Sequence, residues 1–331
     1  MAHERFDIDI FHPSDATGVA ELFRTVYGEG YPVKLVYNPS ELTAAFNAKE
    51  NIPVVARTAA GKIIGYCGIY RSAPNRNIYE AGQGLVNPEY RGSGVNTEIL
   101  VYVIEKLAVE LGIDALFGEA VCNHVYMQKT CCNVGYIETG IEVDLMPAEA
   151  YAKEKSASGR VAAMPVFRIY KPEEQTVYLP AVYKDHLHYL YEGLDAPRVF
   201  AISGENRKPE GKTAQTTQIF DFAQVARIAF SHIGADFEGA LDDLEKNLLG
   251  HGIAVIQLWL KLDTPWISNI TKLLRKGGYF FGGLLPGWFG ADAILMQKIV
   301  EKPNWEGITL YSNRAKKILE MVRKDWEKTK A

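Results

Sequence analysis

The chain has 331 residues, of which 47% are hydrophobic, 11% aromatic and 23% charged, with a formal net charge of −4 at pH 7. This length exceeds what one core usually fills and predicts two domains, while the composition excludes a disordered or fibrous chain. The charge excludes a global field that would gather nucleic acid or an anionic membrane surface.

The N-terminus, "MAHERFDIDIF", carries acids early and lacks the apolar core of a secretory signal. From Ser14 to Tyr27, "SDATGVAELFRTVY" reads as a helix capped by Ser14, with Val19, Leu22, Phe23 and Val26 on one face. A loop, "GEGYPVKLVYNP", leads to a short helix in "SELTAAFNAKE". "IPVVARTAAGKIIGYCGIYRS" then reads as a hairpin around a Gly-containing turn.

"IYEAGQGLVNP" is a strand that runs into Pro88. Apolar positions at Val95, Leu100, Val103, Ile104, Leu107 and Leu111 then keep a helical period. Next come the strand "IDALFGEAV", a helix through "HVYMQKTCCNV" that stops at Gly135, and "YIETGIEVDLM" as one strand. The small, polar excursion "AEAYAKEKSASGR" separates it from the strand "AMPVFRIY".

The polar, Pro-bounded "KPEEQTVYLP" marks a boundary, giving domains at 1–171 and 172–331. The second half opens with helical "AVYKDHLHYLYEGL", the strand "RVFAIS" and the hydrophilic turn "GENRKPEGKTAQ". "TTQIFDFAQVARIAF" reads as one strand, "DFEGALDDLEKNLLG" as a helix, "IAVIQLWLKL" as a strand and "PWISNITKLLRK" as a helix. The strands "GYFFGGLL" and "DAILMQKIV" and the helix "SNRAKKILEMVRKDWEK" close the chain.

"GGYFFGGLLPGWFG" is too short and too broken by Gly and Pro to cross a bilayer; it either roofs a cleft or buries a domain interface. The closing helix alternates its bases with Glu320, Asp325 and Glu327, the pattern of a solvated face. "LGIDALFGEAVCNHVYMQKTCCNVGYIETG" and "HGIAVIQLWLKLDTPWISNITKLLRKGGYFFGG" share the plan Gly, strand, polar junction, helix, Gly-Tyr, strand. Their spans Gly112 to Gly135 and Gly252 to Gly278 differ by three residues, the mark of an internal repeat.

Four cysteines, Cys67, Cys122, Cys131 and Cys132, form no C-x-x-C pair, so no disulfide framework or zinc knuckle is expected and a reduced, cytoplasmic setting is. The chemistry-bearing stretch is "PEYRGSGVNTEIL". Gly92 and Gly94 let the backbone approach an anion at a helix start, Arg91 adds a charged donor and Ser93 a hydroxyl. The stretch is either a phosphate cradle or a tight turn before a helix. A P-loop is excluded because no Gly-Lys-Ser/Thr follows, and a dinucleotide fingerprint because the preceding strands form an antiparallel hairpin.

"GLVNPEYRGSGVNTEIL" resembles the acetyl-CoA motif of the Gcn5-related N-acetyltransferase (GNAT) superfamily, in which a strand, a Pro-containing link and an R/Q-x-x-G-x-G/A loop precede a long helix. Arg91, Gly92 and Gly94 match it, and Asn96 stands where the family has Gly or Ala. "NHVYMQKTCCNVGYIETG" is similar to the family's later motif, which ends in Gly and an aromatic, here Gly135 and Tyr136. The resemblance implies a mixed-sheet α/β fold with a GNAT domain in residues 1–171. The internal repeat makes residues 172–331 a second, GNAT-like α/β domain without the pyrophosphate loop.

It further implies acetyl-CoA as co-substrate without a metal, held by Leu85, Val86, Arg91, Gly92, Ser93, Gly94, Val95, Asn96 and Asn123. Two parallel strands would part beyond Leu85 and Val86 and offer their backbone to pantetheine. The acceptor would be a small-molecule or peptide amine. Glu80 takes the position of a carboxylate base; the other reading is a solvated strand residue.

Cys131 occupies the place of the family's tyrosine acid and is either that acid or an inert core thiol, with Tyr126 or His124 as substitutes. Asn123 either bonds pantetheine or caps the helix. Tyr31 and Tyr37 either line the acceptor side or pack their rings. The activity expected is transfer of an acetyl group to an amine, with a CoA-binding sensor of little turnover as the alternative. Neither nucleic acid nor a membrane is an expected partner. A homodimer is compatible with the sequence, which fixes neither oligomeric state nor acceptor.

Overall fold

The computed structural model describes residues 5–151, 157–204 and 209–330. The first four residues of "MAHERFDIDIF", part of the excursion "AEAYAKEKSASGR" and part of the turn "GENRKPEGKTAQ" lie outside the described residues. The chain forms two compact units, Met1–Gly118 with Cys132–Gly135, and Glu119–Cys131 with Tyr136–Ala331. They are drawn by contacts and divide the chain elsewhere than at residue 171.

In the first unit, β1 (Phe6–Ile10), β2 (Asn51–Thr58), β3 (Ile63–Tyr70) and β4 (Ile78–Val86) pair antiparallel in that order. β5 (Ala115–Val121) joins β4 in parallel. A parallel pair needs a crossover, supplied by α3 (Val95–Tyr102), which opens into a π turn at Val103–Leu107 and resumes as α4 (Ala108–Glu110). α1 (Ala16–Tyr27) and α2 (Pro39–Asn47) cover β2 and β3 with a core that includes Phe11, Val19, Phe23, Leu42 and Tyr66.

Ser14 does not cap α1. The helix is preceded by a short turn, Pro13–Asp15, in which Asp15 accepts the His12 N–H at 2.6 Å and pairs with Arg57. Asp15 stands at the N-cap of α1, but its carboxylate bonds back to His12 and Arg57 and gives the helix no side-chain cap bond.

The second unit holds the end of β5, α5 (Tyr126–Asn133), β6 (Ile137–Glu138), β7 (Glu142–Met146) and β8 (Val161–Ile169), with β6 and β7 antiparallel to β8. The expected strand 136–146 is thus broken at Thr139–Ile141. Gly140 lies so close to the Gly282 carbonyl that a Cβ would sit 2.6 Å from it, and it bridges to Gly283 instead of continuing the ladder.

β9 (Gln175–Leu179) pairs in parallel with β10 (Arg198–Ile202), with α6 (Lys184–Tyr191) between them, so the polar boundary "KPEEQTVYLP" contains a strand. "TTQIFDFAQVARIAF" is two strands, β11 (Ala214–Phe220) and β12 (Val225–His232), folded back at Asp221–Gln224, where Gln224 takes φ +53° without any Gly or Pro. α7 (Phe237–Gly250), β13 (Val255–Lys261), α8 (Ile267–Lys276), β14 (Phe280–Leu285), β15 (Ala293–Ile299) and α9 (Asn313–Lys330) complete the chain.

"FFGGLL" is β14, a buried strand whose Gly282 and Leu284 backbone groups bond Ile141 and Thr139. α9 is not solvated on every face. Asp325 is buried and takes bonds from the Tyr183 hydroxyl (2.7 Å), the Phe281 N–H (2.9 Å) and Arg275 (2.8 Å).

The five-stranded sheet runs β11-β12-β13-β15-β14, antiparallel except for β12 with β13. In the first half the corresponding path is β3-β4-β5-β8-β6, with its parallel step at β4 and β5. The crossover helix and the following helix recur in the same places, so the second half repeats the element order of the first.

The helix ends repeat in detail as well. Gly112, Gly135, Gly252 and Gly278 all take positive φ, and the next residue's N–H reaches back to the helix: Ile113 to Ala108, Tyr136 to Cys131, Ile253 to Leu248 and Tyr279 to Leu274. This is one C-terminal capping motif used four times.

Asp144 on β7 is 3% exposed and accepts the Asn304 N–H, while its own carbonyl accepts from Arg160. Burial pushes its carboxyl up to about 6, with Glu301 adding to the rise and Arg160 opposing it. A carboxyl whose folded pKa exceeds its unfolded value stabilises most below pH 3.8 and loses that contribution as pH rises through about 6. The loss is about 3 kcal/mol at 1.4 kcal/mol per pH unit. Asp144→Asn is therefore expected to be more stable than the parent at pH 8 by roughly 1 to 3 kcal/mol, with the gain vanishing near pH 4, in denaturant titrations at the two pH values.

Candidate active site

β4 pairs with β5 only through Ile78–Ala115, Tyr79–Leu116 and Glu80–Phe117. The two strands part after Glu80, earlier than the expected Leu85 and Val86. The reason is a bulge: the register with β3 shifts between Tyr66 and Gly68, and Gln83 takes φ +57°, a conformation costly for a residue with a Cβ. Residues 81–86 of β4 thus run on without a β5 partner.

β4 then enters a turn, Pro88–Tyr90, whose Asn87 side chain accepts the Glu89 N–H at 3.0 Å. Gly92 at φ +80° and Gly94 at φ +92° bend the chain so that Gly94 becomes the residue before α3. The first helical bond runs from the Glu98 N–H to the Gly94 carbonyl, which leaves the earlier N–H groups pointing out of the helix start. A Cβ on Gly92 would meet nothing within 4 Å, so the space beside the loop is open.

Arg91 is exposed and Asn96 half-buried in the first turn, next to the buried Val95. Ser93 is less available than expected, because its hydroxyl donates to the Tyr90 carbonyl at 2.6 Å and shapes the turn itself. Gly65, which no sequence motif singles out, decides where this helix lies. A Cβ there would stand 2.6 Å from Val95 and 2.8 Å from Ile99, so its absence lets α3 press onto β3.

Glu80 is 8% exposed and lies on a strand with neighbours on both sides, so it is not a solvated edge residue. Tyr70 donates its hydroxyl to one carboxylate oxygen at 2.5 Å and Ser72 to the other at 2.6 Å. Sequence reasoning missed both. The signal was the hairpin register, which sets Tyr70 directly opposite Glu80. Gly82 keeps the spot open, since a Cβ there would meet the Tyr70 hydroxyl at 2.5 Å.

Tyr37 and Tyr31 belong to the first unit's core more than to a surface. Tyr31 packs on Phe23 and Tyr27, and the Tyr37 hydroxyl accepts the Tyr31 N–H at 3.0 Å. Burial holds the Tyr37 phenol above its ordinary pKa, with Glu29 in the same sense. The cations of Arg24 and Lys34 lie over its ring.

In the second unit, Cys131 is buried at 6% exposure, and none of the chain's four cysteines is in a disulfide. Tyr126 is 77% exposed and lies against the His124 ring, 5.3 Å between centroids. Asn123 precedes α5. Gln128, on the same helix, is fully buried and bonds the carbonyls of Val121, His124 and Thr309 and the Tyr311 N–H, tying the segment before α9 to the end of β5.

Among the described residues no group of three or more His, Cys, Asp or Glu is arranged to hold a metal ion, and no helix is long and apolar enough to cross a membrane.

Residues 17–128 match the family model of the acetyltransferase (GNAT) family. A search of curated proteins by sequence gives no match. Among solved structures, the chain is similar to the ribosomal-protein-S5-alanine acetyltransferase from Vibrio fischeri, at 13% identity and TM-score 0.41 over 51% of this chain and 95% of that one. It is similar also to the ribosomal-protein-S18-alanine N-acetyltransferase from Escherichia coli (15%, TM-score 0.40, 51% and 96%). An N-acetyltransferase from Staphylococcus aureus gives 16%, TM-score 0.40, 50% and 98%. Likenesses at such scores carry no argument, and the family model covers residues 17–128 of the 331.

Tyr37→Phe removes the acceptor of the Tyr31 N–H. The expected cost is about 1 to 2 kcal/mol, together with faster hydrogen exchange at the Tyr31 amide than elsewhere in the 28–37 loop.

Proposed function

We propose, on the premise that residues 17–128 make the chain a member of the acetyltransferase (GNAT) family, that it transfers an acetyl group from acetyl-CoA directly to a primary amine. The observation that carries this reading is the loop Arg91–Gly94. Its two left-handed glycines open α3 inside the matched stretch and leave room for a pyrophosphate. Acetyl-CoA supplies the activated acyl group.

Arg91 and the N–H groups of Gly92 and of Gly94 to Asn96 hold the phosphates, with Ser93 shaping the loop, and the edge of β4 that has no β5 partner, at Leu85 and Val86, lies along the pantetheine arm. Asn123 is the further polar group we assign to that arm. Glu80 takes the proton that the attacking amine must lose as its nitrogen bonds the carbonyl carbon. The departing sulfur takes a proton from Cys131 or Tyr126. Tyr31 and Tyr37 shape the acceptor side, Tyr37 by fixing the loop that carries Tyr31.

No activated nucleophile is needed, because amine attack on a thioester requires only a neutral amine and a stabilised leaving group. We retain the division into domains at 1–171 and 172–331, since the repeated element order restarts beyond it, and a cytoplasmic setting, which suits four free thiols. A second reading, a CoA-binding sensor with little turnover, draws on Cys131 standing where the family has its tyrosine.

Release of free CoA thiol across amines, peptides and aminoglycosides separates the two. Acetyl-CoA binding in calorimetry with no thiol from any acceptor ends the enzyme reading. Glu80→Gln is expected to lower kcat by about 10²-fold or more and flatten its rise with pH, leaving CoA affinity unchanged; an unaltered rate removes Glu80 from the role. Arg91→Glu is expected to weaken CoA binding by at least about tenfold, and an unaltered affinity refutes the cradle.

A further inference from the structure

The second half carries a cavity of about 190 Å³ that the reading above does not use. It lies at the C-terminal ends of β12 and β13, lined there by Phe230, His232, Ile233, Lys261, Asp263 and Trp266. These two strands are the parallel pair of the five-stranded sheet. The cavity exceeds the roughly 150 Å³ that admits a benzene molecule.

The neighbouring turn before α7 is already closed by its own hydrogen bonds. The Ala235 N–H there donates to the Gly211 carbonyl and the Gly234 N–H to the Thr213 hydroxyl, while Asp236 accepts the Thr213 N–H. A Cβ on Gly234 would stand 2.4 Å from the Lys212 backbone, so the space is filled.

The groups left over in the cavity are of two kinds. Lys261 lies over the Phe289 ring, 5.6 Å from its centroid, and makes no hydrogen bond or ion pair among the described residues. The Trp266 indole N–H is buried with no acceptor among the described residues. Against these donors stands Asp263, two residues beyond Lys261, whose carboxylate is exposed and accepts only the Thr264 hydroxyl at 3.4 Å. His232 is engaged, its Nε2 facing the Glu210 carbonyl at 2.8 Å. Phe230, Ile233 and Pro265 supply apolar wall.

We propose that this cavity binds a small zwitterion of α-amino-acid size, its carboxylate on Lys261 and the Trp266 N–H and its ammonium on Asp263. One uncommitted cation with a spare donor and one uncommitted anion, beside an apolar wall, match the three parts of such a molecule. The site is independent of acetyl transfer, and its test needs no CoA.

The experiment is calorimetric titration of the full chain with a panel of free amino acids. The best of them is then compared with its amine and carboxylic-acid counterparts, each lacking one charged group, and with inorganic phosphate. The expected result is a dissociation constant of about 1 mM or tighter for at least one amino acid, and binding at least about tenfold weaker for both counterparts. Lys261→Met and Asp263→Asn should each weaken it by a similar factor. Were a variant to misfold, the counterpart comparison on the parent chain still decides. No binding at about 10 mM, equal binding of either counterpart, or binding that persists in both variants overturns the proposal.

Discussion

The parallel pairing of β4 with β5 lasts for three residue pairs, and the candidate chemistry of the first half depends on its stopping there. Backbone N–H and C=O groups in a sheet are obligatory hydrogen bonders, so a strand that leaves its partner presents groups that something else must satisfy. The bulge at Gln83 and the turn at Asn87 end the ladder, and the two left-handed glycines then open α3 a few residues later. A free strand edge and a helix start thus follow one another along a single stretch of chain, next to a carboxylate held by two hydroxyls.

The second half shows what the same plan does when that condition is absent. β12 and β13 pair over six positions, from Val225–Val255 to Phe230–Leu260, so no edge is released. The turn into α7 is closed by residues 211–213, which take the N–H groups of Gly234 and Ala235. From β3 and β11 onward, sequence order, capping glycines and the parallel step agree between the halves, yet among the described residues the open ladder and the glycine loop belong to the first. The repeat is one of architecture, and the chemistry assigned to one copy does not carry over to the other.

Much of the fold was legible because it is written locally. Helical periodicity located α1, α3, α7, α8 and α9, and Gly-Tyr after a helix located two of the four caps. What escaped depended on distant partners. β9 reads as a polar boundary until β10, some twenty residues on, supplies its ladder, and the turn at Gln224 has neither Gly nor Pro to announce it. The candidate site divides in the same way. The loop Arg91–Gly94 is a local motif and could be read directly. Tyr70 and Ser72 reach Glu80 only through the β3–β4 register, and the burial of Cys131 beside an exposed Tyr126 depends on which face α5 turns inward.

The central claim is that acetyl-CoA occupies the first copy of the plan and is refused by the second. Amide hydrogen exchange, measured with and without saturating acetyl-CoA, tests it most directly, because it reports each backbone segment separately. The account predicts added protection at residues 81–86 and 92–97 and none at 233–236. Protection at 233–236, or its absence from 92–97, would contradict it.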